Sequence, residues 1–271
     1  MTPPVPPARS HVISRRRALA LAFGAATAAL TACDAIQRVG PSSLVDGDVS
    51  GRLGARPRSR PTTAPEAWLH RGRQEIPVQP GRRALLDLPS GIDPSVPAPF
   101  ALGLHGASGR AEAGLRVFGS LGEDAGVIQL APEAEQGAWD VMLGGYGADV
   151  AFIDRALQWV FSRFAVDRSR LACTGFSNGA SYTLSLGPTN GDLFTDLVAF
   201  SPGFMAPAER RGRPNVFIAH GTRDRALPIG RTSRRLVPAL RAAGYDVTYR
   251  EFDGKHEILP RLSRRALDWF L

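Results

Sequence analysis

The chain has few cysteines, one lysine and a low aromatic content. Cys33 and Cys173 are its only two cysteines, which excludes a disulfide-stapled scaffold. No His/Cys cluster has the spacing of a metal site, and no glycine-rich loop matches a nucleotide-binding pattern, so no cofactor is implied. Lys255 is the single lysine among 33 basic residues. The formal charge of +8 overstates the basic character. Arg9, Arg15, Arg16 and Arg17 lie in the first 33 residues with no acid beside them, and without them +4 remains. That balance is modest for the length and argues against a nucleic-acid partner. Aromatic residues make up 8% of the chain, and none falls between residues 34 and 65. The long apolar run of a membrane span is also missing. Residues 18–32 are apolar, but a transmembrane helix needs about 20 such residues.

The same short run, preceded by Arg15-Arg16-Arg17, reads as a signal peptide over residues 1–33 with a twin-arginine look. It ends Leu30-Thr31-Ala32-Cys33, which resembles a bacterial lipobox and makes Cys33 the expected lipidation site. The expected location is therefore outside the cytoplasm, as a cell-envelope lipoprotein or a secreted or periplasmic protein. Membrane contact is expected only through that N-terminal anchor. Residues 34–65 carry Gly, Pro, Ser and Arg and read as a disordered linker, spanning roughly 30 Å. Residues 66–271 suit one domain with a substantial core. With Cys33 acylated or removed, Cys173 has no partner and reads as an inert buried hydrophobe.

The most informative stretch is Gly175-Phe176-Ser177-Asn178-Gly179, directly after the apolar run 171–174. A strand, a pinched turn with a central serine and then a helix form a nucleophile elbow. The flanking glycines are needed because side chains there would collide with the neighbouring strand and helix.

Strand and helix patterns alternate from about residue 84. Strands are expected at 83–88, 100–104, 126–130, 171–174, 197–200, 216–219 and 247–252. A helix follows Asp149, its expected N-cap, with apolar residues at helical spacing from Val150 to Phe164, and residues 266–271 close the chain as a helix. The fold class is α/β: a mostly parallel central sheet flanked by helices on both faces. Ser177, His105, Asp224 and His256 all follow strand ends, where ligands bind in open α/β sheets.

A serine hydroxyl needs a base, and the base needs an orienting carboxylate. His256, in the loop after the last strand, is the expected base. Asp224, past the strand 216–219, is the expected acid. Asp253 competes as acid, and His105 and His220 compete as base. The oxyanion hole calls for backbone N–H groups. Asn178 supplies one by position, and Ala107, in His105-Gly106-Ala107-Ser108-Gly109, is favoured for the other.

Together the elbow, Leu104-His105-Gly106, His220-Gly221-Thr222-Arg223-Asp224 and Gly254-Lys255-His256 resemble the α/β-hydrolase superfamily. Within it the chain looks like the phospholipase/carboxylesterase branch and the related polyhydroxybutyrate-depolymerase and feruloyl-esterase group, over roughly residues 80–271. The resemblance implies an α/β-hydrolase fold, Ser177, Asp224 and His256 as a triad, and a small-molecule or polymeric ester as substrate. Trp139-Asp140 is similar to the loop lining the acyl groove of that branch, so Trp139, Met142 and Tyr146 are the expected substrate-binding residues. The pattern departs at Gly144-Gly145-Tyr146-Gly147, which stands in place of a lid sequence. The expected activity is that of an exported serine carboxylesterase working through an acyl-enzyme. The alternatives are a polyester depolymerase, a feruloyl esterase or a peptidase with the same triad, or a non-catalytic lipoprotein binding module.

Overall fold

The computed structural model describes residues 50–66 and 69–271. The expected signal peptide, the Cys33 lipidation site and residues 34–49 of the expected linker lie outside them. Eight strands form one sheet: β1 (Gly72–Glu75), β2 (Ala84–Leu88), β3 (Ala98–Leu104), β4 (Ile128–Pro132), β5 (Val166–Phe176), β6 (Asp196–Phe200), β7 (Asn215–Gly221) and β8 (Val247–Phe252). Their order is β1-β2-β4-β3-β5-β6-β7-β8. β2 runs antiparallel to both of its neighbours, and all other pairs are parallel. Among the described residues six helices accompany them: α1 (Ala111–Gly114), α2 (Ser120–Asp124), α3 (Ala148–Arg163), α4 (Asn178–Thr189), α5 (Ser233–Ala242) and α6 (Pro260–Phe270).

The central strands are near-continuous apolar runs because both faces of the sheet are covered. Successive side chains point to opposite faces, and the packing divides accordingly. Leu102, Leu104, Cys173, Leu197, Ala199 and Ile218 share a core with Phe152 and Leu157 of α3, Tyr182 and Leu186 of α4, and Val237 and Leu240 of α5. Ala101, Ala172, Val198, Phe200 and Phe217 face the other way, onto Phe118 and onto Leu267 and Phe270 of α6. The expected mostly parallel sheet with helices on both faces is thus present. β1 was not expected. Its burial alternates between half-buried and exposed, so it has no fully buried residue to mark it as a strand.

Two expectations need correction. Asp149 does not cap α3; it lies in the first turn, and Gly147 holds the cap position. The start of α3 is instead capped from the preceding loop, where the Asp140 carboxylate accepts the N–H groups of Gly147, Asp149 and Val150. Asp149 is buried and turned the other way, accepting the amides of Glu135 and Asp140 and a 2.7 Å ion pair from Arg82.

The second correction concerns the linker. Residues 51–57 pack on the domain. Leu53 and Ala55 are buried. Asn190 accepts the Leu53 amide and donates to the Gly51 carbonyl, and Asp154 accepts the Ala55 amide. Arg52 and Arg56 both reach Asp192 at 2.7 Å. Low apolar content led to the expectation of disorder, but the ordering comes from hydrogen bonds and ion pairs to residues far along the chain.

Candidate active site

The site lies at the C-terminal edge of the parallel strands. β5 ends at Phe176 and α4 begins at Asn178, leaving Ser177 alone to make the turn. Its backbone is in the left-handed region, at φ 57° and ψ −120°, a conformation that is strained for a residue with a side chain. Crowding enforces the turn. A Cβ at Gly179 would stand 2.0 Å from the Leu104 carbonyl, and one at Gly175 would meet the Gly179 backbone at 2.3 Å. The Ser177 amide donates to the Phe200 carbonyl, pinning the elbow to β6.

The Ser177 hydroxyl donates to His256 Nε2 at 2.9 Å, and His256 Nδ1 donates to Asp224 Oδ2 at 2.7 Å. The three residues named from the sequence therefore meet, although they come from the ends of β5, β7 and β8. Asp224 is buried, and the His256 side chain is 23% exposed. Burial disfavours the Asp224 carboxylate, but the Leu227 amide and His256 outweigh it and hold the group below its ordinary range. The carboxylate is therefore ionised at neutral pH and accepts the His256 N–H. Phe176 stacks beside the His256 ring at 4.6 Å.

The competing residues are placed elsewhere. His105 has no exposed surface; its Nδ1 donates to the Gly106 carbonyl and its Nε2 accepts the Ala134 amide. His220 is equally buried. Burial lowers the pKa of both rings and keeps them neutral. Asp253 is exposed and pairs with Arg223 at 2.8 Å.

Asn178 is the first residue of α4, so its amide has no acceptor within the helix and sits at the positive end of the helix dipole. The loop carrying Ala107 passes close by: a Cβ on Gly106 would stand 3.3 Å from Ser177 Cβ. Ser108, at φ 53°, turns this loop, and its amide donates to the Gly137 carbonyl. Among the described residues neither the Asn178 nor the Ala107 amide is committed to an acceptor.

The expected acyl-pocket residues are placed differently. Trp139 is fully buried. It stacks on Tyr182 at 5.0 Å, and its indole N–H donates to the His105 carbonyl at 2.8 Å. It therefore supports the His105–Gly109 loop from behind and offers no surface to a ligand. Tyr146 is also buried, donating to the Ala206 carbonyl with Gly51 against its ring. Met142 alone of the three keeps partial exposure, packed on the same core. The loop after β6 stands closer to the elbow. Ser181 accepts the Gly203 amide and Ser185 accepts the Ala206 amide, leaving Phe204 and Met205 half-buried beside α4. Nothing in the sequence distinguished these residues from other loop apolars.

No family model matches the chain. Among curated proteins it is similar to feruloyl esterase C of Emericella nidulans, 29% identical over 157 residues. It is 28% identical over 156 residues to a probable feruloyl esterase C of Aspergillus niger. Each alignment covers 55% of this chain and 57% of the relative, so the chain spans just over half the length of these relatives. Among solved structures it resembles an S-formylglutathione hydrolase of Staphylococcus aureus, with TM-score 0.60 at 15% identity over 74% of this chain and 99% of the other. It also resembles a ferulic acid esterase of the anaerobic fungus Anaeromyces mucronatus, with TM-score 0.55 at 16% identity over 77% and 94%. At such identities the likeness is one of fold.

Proposed function

We propose that this chain, a member of the α/β-hydrolase superfamily, is a serine esterase that cleaves carboxylic esters through Ser177, His256 and Asp224. The observation that carries the reading is the unbroken hydrogen-bond chain from the strained Ser177 hydroxyl through His256 to a buried, ionised Asp224. A binding module would gain nothing from holding a serine in a disfavoured backbone conformation against an oriented imidazole. In the proposed reaction His256 takes the Ser177 proton as the oxygen attacks the ester carbonyl. The amides of Asn178 and Ala107 hold the oxyanion, each worth roughly 3 kcal/mol in the transition state. His256 then protonates the leaving alcohol. Water, activated by the same histidine, releases the acid and restores Ser177.

The names of the curated relatives make feruloyl esters the first substrate class to test. The N-terminal sequence supports export, with Cys33 lipidated at the membrane and Ser177 working outside the cytoplasm.

A fluorophosphonate probe is expected to label the wild type at Ser177 and to leave Ser177→Ala unlabelled. Turnover of p-nitrophenyl esters of graded acyl length and of methyl ferulate should fall to background in the same variant. Failure of the wild type to label, or turnover that survives Ser177→Ala, overturns the assignment.

A further inference from the structure

The Asp224 carboxylate has a second histidine on it. His220, four residues earlier and next to last in β7, has no exposed surface, and places Nε2 3.2 Å from Asp224 Oδ2 and 2.8 Å from the Leu227 carbonyl. Both neighbours are acceptors, so Nε2 must carry the hydrogen. On the other side of the ring, Nδ1 stands 2.7 Å from the Ser233 hydroxyl at the start of α5. A neutral ring protonated at Nε2 leaves Nδ1 free to accept, so Ser233 donates to it. The hydroxyl thus anchors the ring through its second nitrogen. The opposite tautomer would set a bare Nε2 lone pair against a carboxylate and a carbonyl.

Asp224 itself accepts three hydrogen bonds. Oδ1 accepts the amides of Ala226 and Leu227 at 2.9 and 2.8 Å, and Oδ2 accepts His256 at 2.7 Å, with the His220 Nε2 standing 3.2 Å from the same oxygen. Leu227 is held twice, giving its amide to Asp224 and taking the His220 N–H at its carbonyl. His220 therefore ties together the end of β7, the turn that carries the acid and the start of α5.

We infer that His220, held by Ser233, is a positioning residue that fixes the turn at Leu227, and through it the Asp224 carboxylate, so that His256 Nδ1 has one acceptor geometry. The inference rests on the serine-esterase reading above. Because His256 gains its positive charge only in the transition state, a loosened carboxylate lowers kcat and leaves ground-state binding alone. His220→Phe fills the volume without a donor. It is expected to lower kcat roughly 3- to 10-fold, the worth of one hydrogen bond between neutral groups, with KM within about twofold. His220→Gln, whose amide keeps an N–H toward the Leu227 carbonyl, is expected to recover most of the loss. Ser233→Ala removes the partner of Nδ1 and lets the ring shift. It should lower kcat several-fold at unchanged Tm, and it carries the test if His220→Phe does not fold. The low-field proton resonance of the His256 Nδ1–H to Asp224 bond should shift or broaden in His220→Phe and Ser233→Ala. A folded His220→Phe or Ser233→Ala with wild-type kcat and an unshifted resonance overturns the positioning role and leaves the esterase reading intact. A wild type that neither labels at Ser177 nor turns over esters removes the esterase reading itself.

Discussion

At the scale of single residues, the three groups that meet at Ser177 were legible because each follows an apolar strand, and the chain order serine, acid, histidine is imposed by the connectivity of the sheet. Trp139 was misread for the complementary reason. A tryptophan near a site motif is equally suited to a pocket wall or to the core behind it, and burial by Tyr182 and His105 is a tertiary fact. The structure gives Trp139 a different and testable task. Its indole N–H is the donor to the His105 carbonyl at the root of the loop carrying Ala107. Trp139→Phe keeps the aromatic stack on Tyr182 and removes that donor, leaving a buried carbonyl short of a partner. The expected cost is about 1–3 kcal/mol of stability, with a several-fold drop in kcat as the loop loosens and little change in KM. Thermal melts and steady-state kinetics check this, and equal Tm and kcat in the variant and wild type would refute the supporting role.

At the scale of elements, the buried strands were readable from apolar runs, whereas the pieces held by polar contacts were not. Asp140 caps α3 from a loop eight residues ahead, a reach that local capping rules do not cover. The segment 51–57 gave a tether-like composition, and its order depends on Asp154, Asn190 and Asp192, residues about 100 or more positions away. Asp192 is the centre of that attachment, and the Arg52 hydrogen bond holds its carboxyl well below the usual carboxylate range. A depressed folded-state pKa contributes stability that is present above the unfolded value, about 3.9, and is lost as pH falls through the folded value. Since the Asp192 side chain is 39% exposed, solvent screening limits the effect. Asp192→Asn is expected to cost about 1 kcal/mol at neutral pH, with the difference from wild type shrinking below pH ~4. Removing residues 50–57 in addition to 1–49 should lower Tm further than removing 1–49 alone, because Leu53, Ala55 and the Gly51 contact on Tyr146 go with them. A pH-independent difference for Asp192→Asn would refute the charge-based contribution, and equal Tm for the two truncations would show that the segment contributes nothing to the fold.

At the scale of the whole molecule, the sheet that aims Ser177, Asp224 and His256 at one point also encloses the only free thiol among the described residues. Among those residues no helix is long and apolar enough to cross a membrane, and the buried mass is the doubly covered sheet. Cys173 lies in its middle strand, paired in register with Leu102 of β3 and Leu197 of β6, and is fully buried. Burial pushes its thiol up to about 12, so the nucleophilic thiolate is scarce as well as inaccessible. No local fluctuation of a loop or terminus uncovers a central strand; exposure requires the sheet to open, at a cost near the global unfolding free energy. A thiol reagent applied to the Cys33→Ser protein, where Cys173 is the remaining cysteine, is therefore expected to leave the native state unmodified and to titrate one thiol in guanidinium chloride. Under mildly destabilising conditions the labelling rate should follow global unfolding measured by circular dichroism, and it should slow when a covalent inhibitor occupies Ser177 and stabilises the native state. Rapid labelling in native buffer would mean that β5 opens independently of the rest. The geometry at Ser177, which hangs on the end of that strand, would then have to be held by the flanking loops alone.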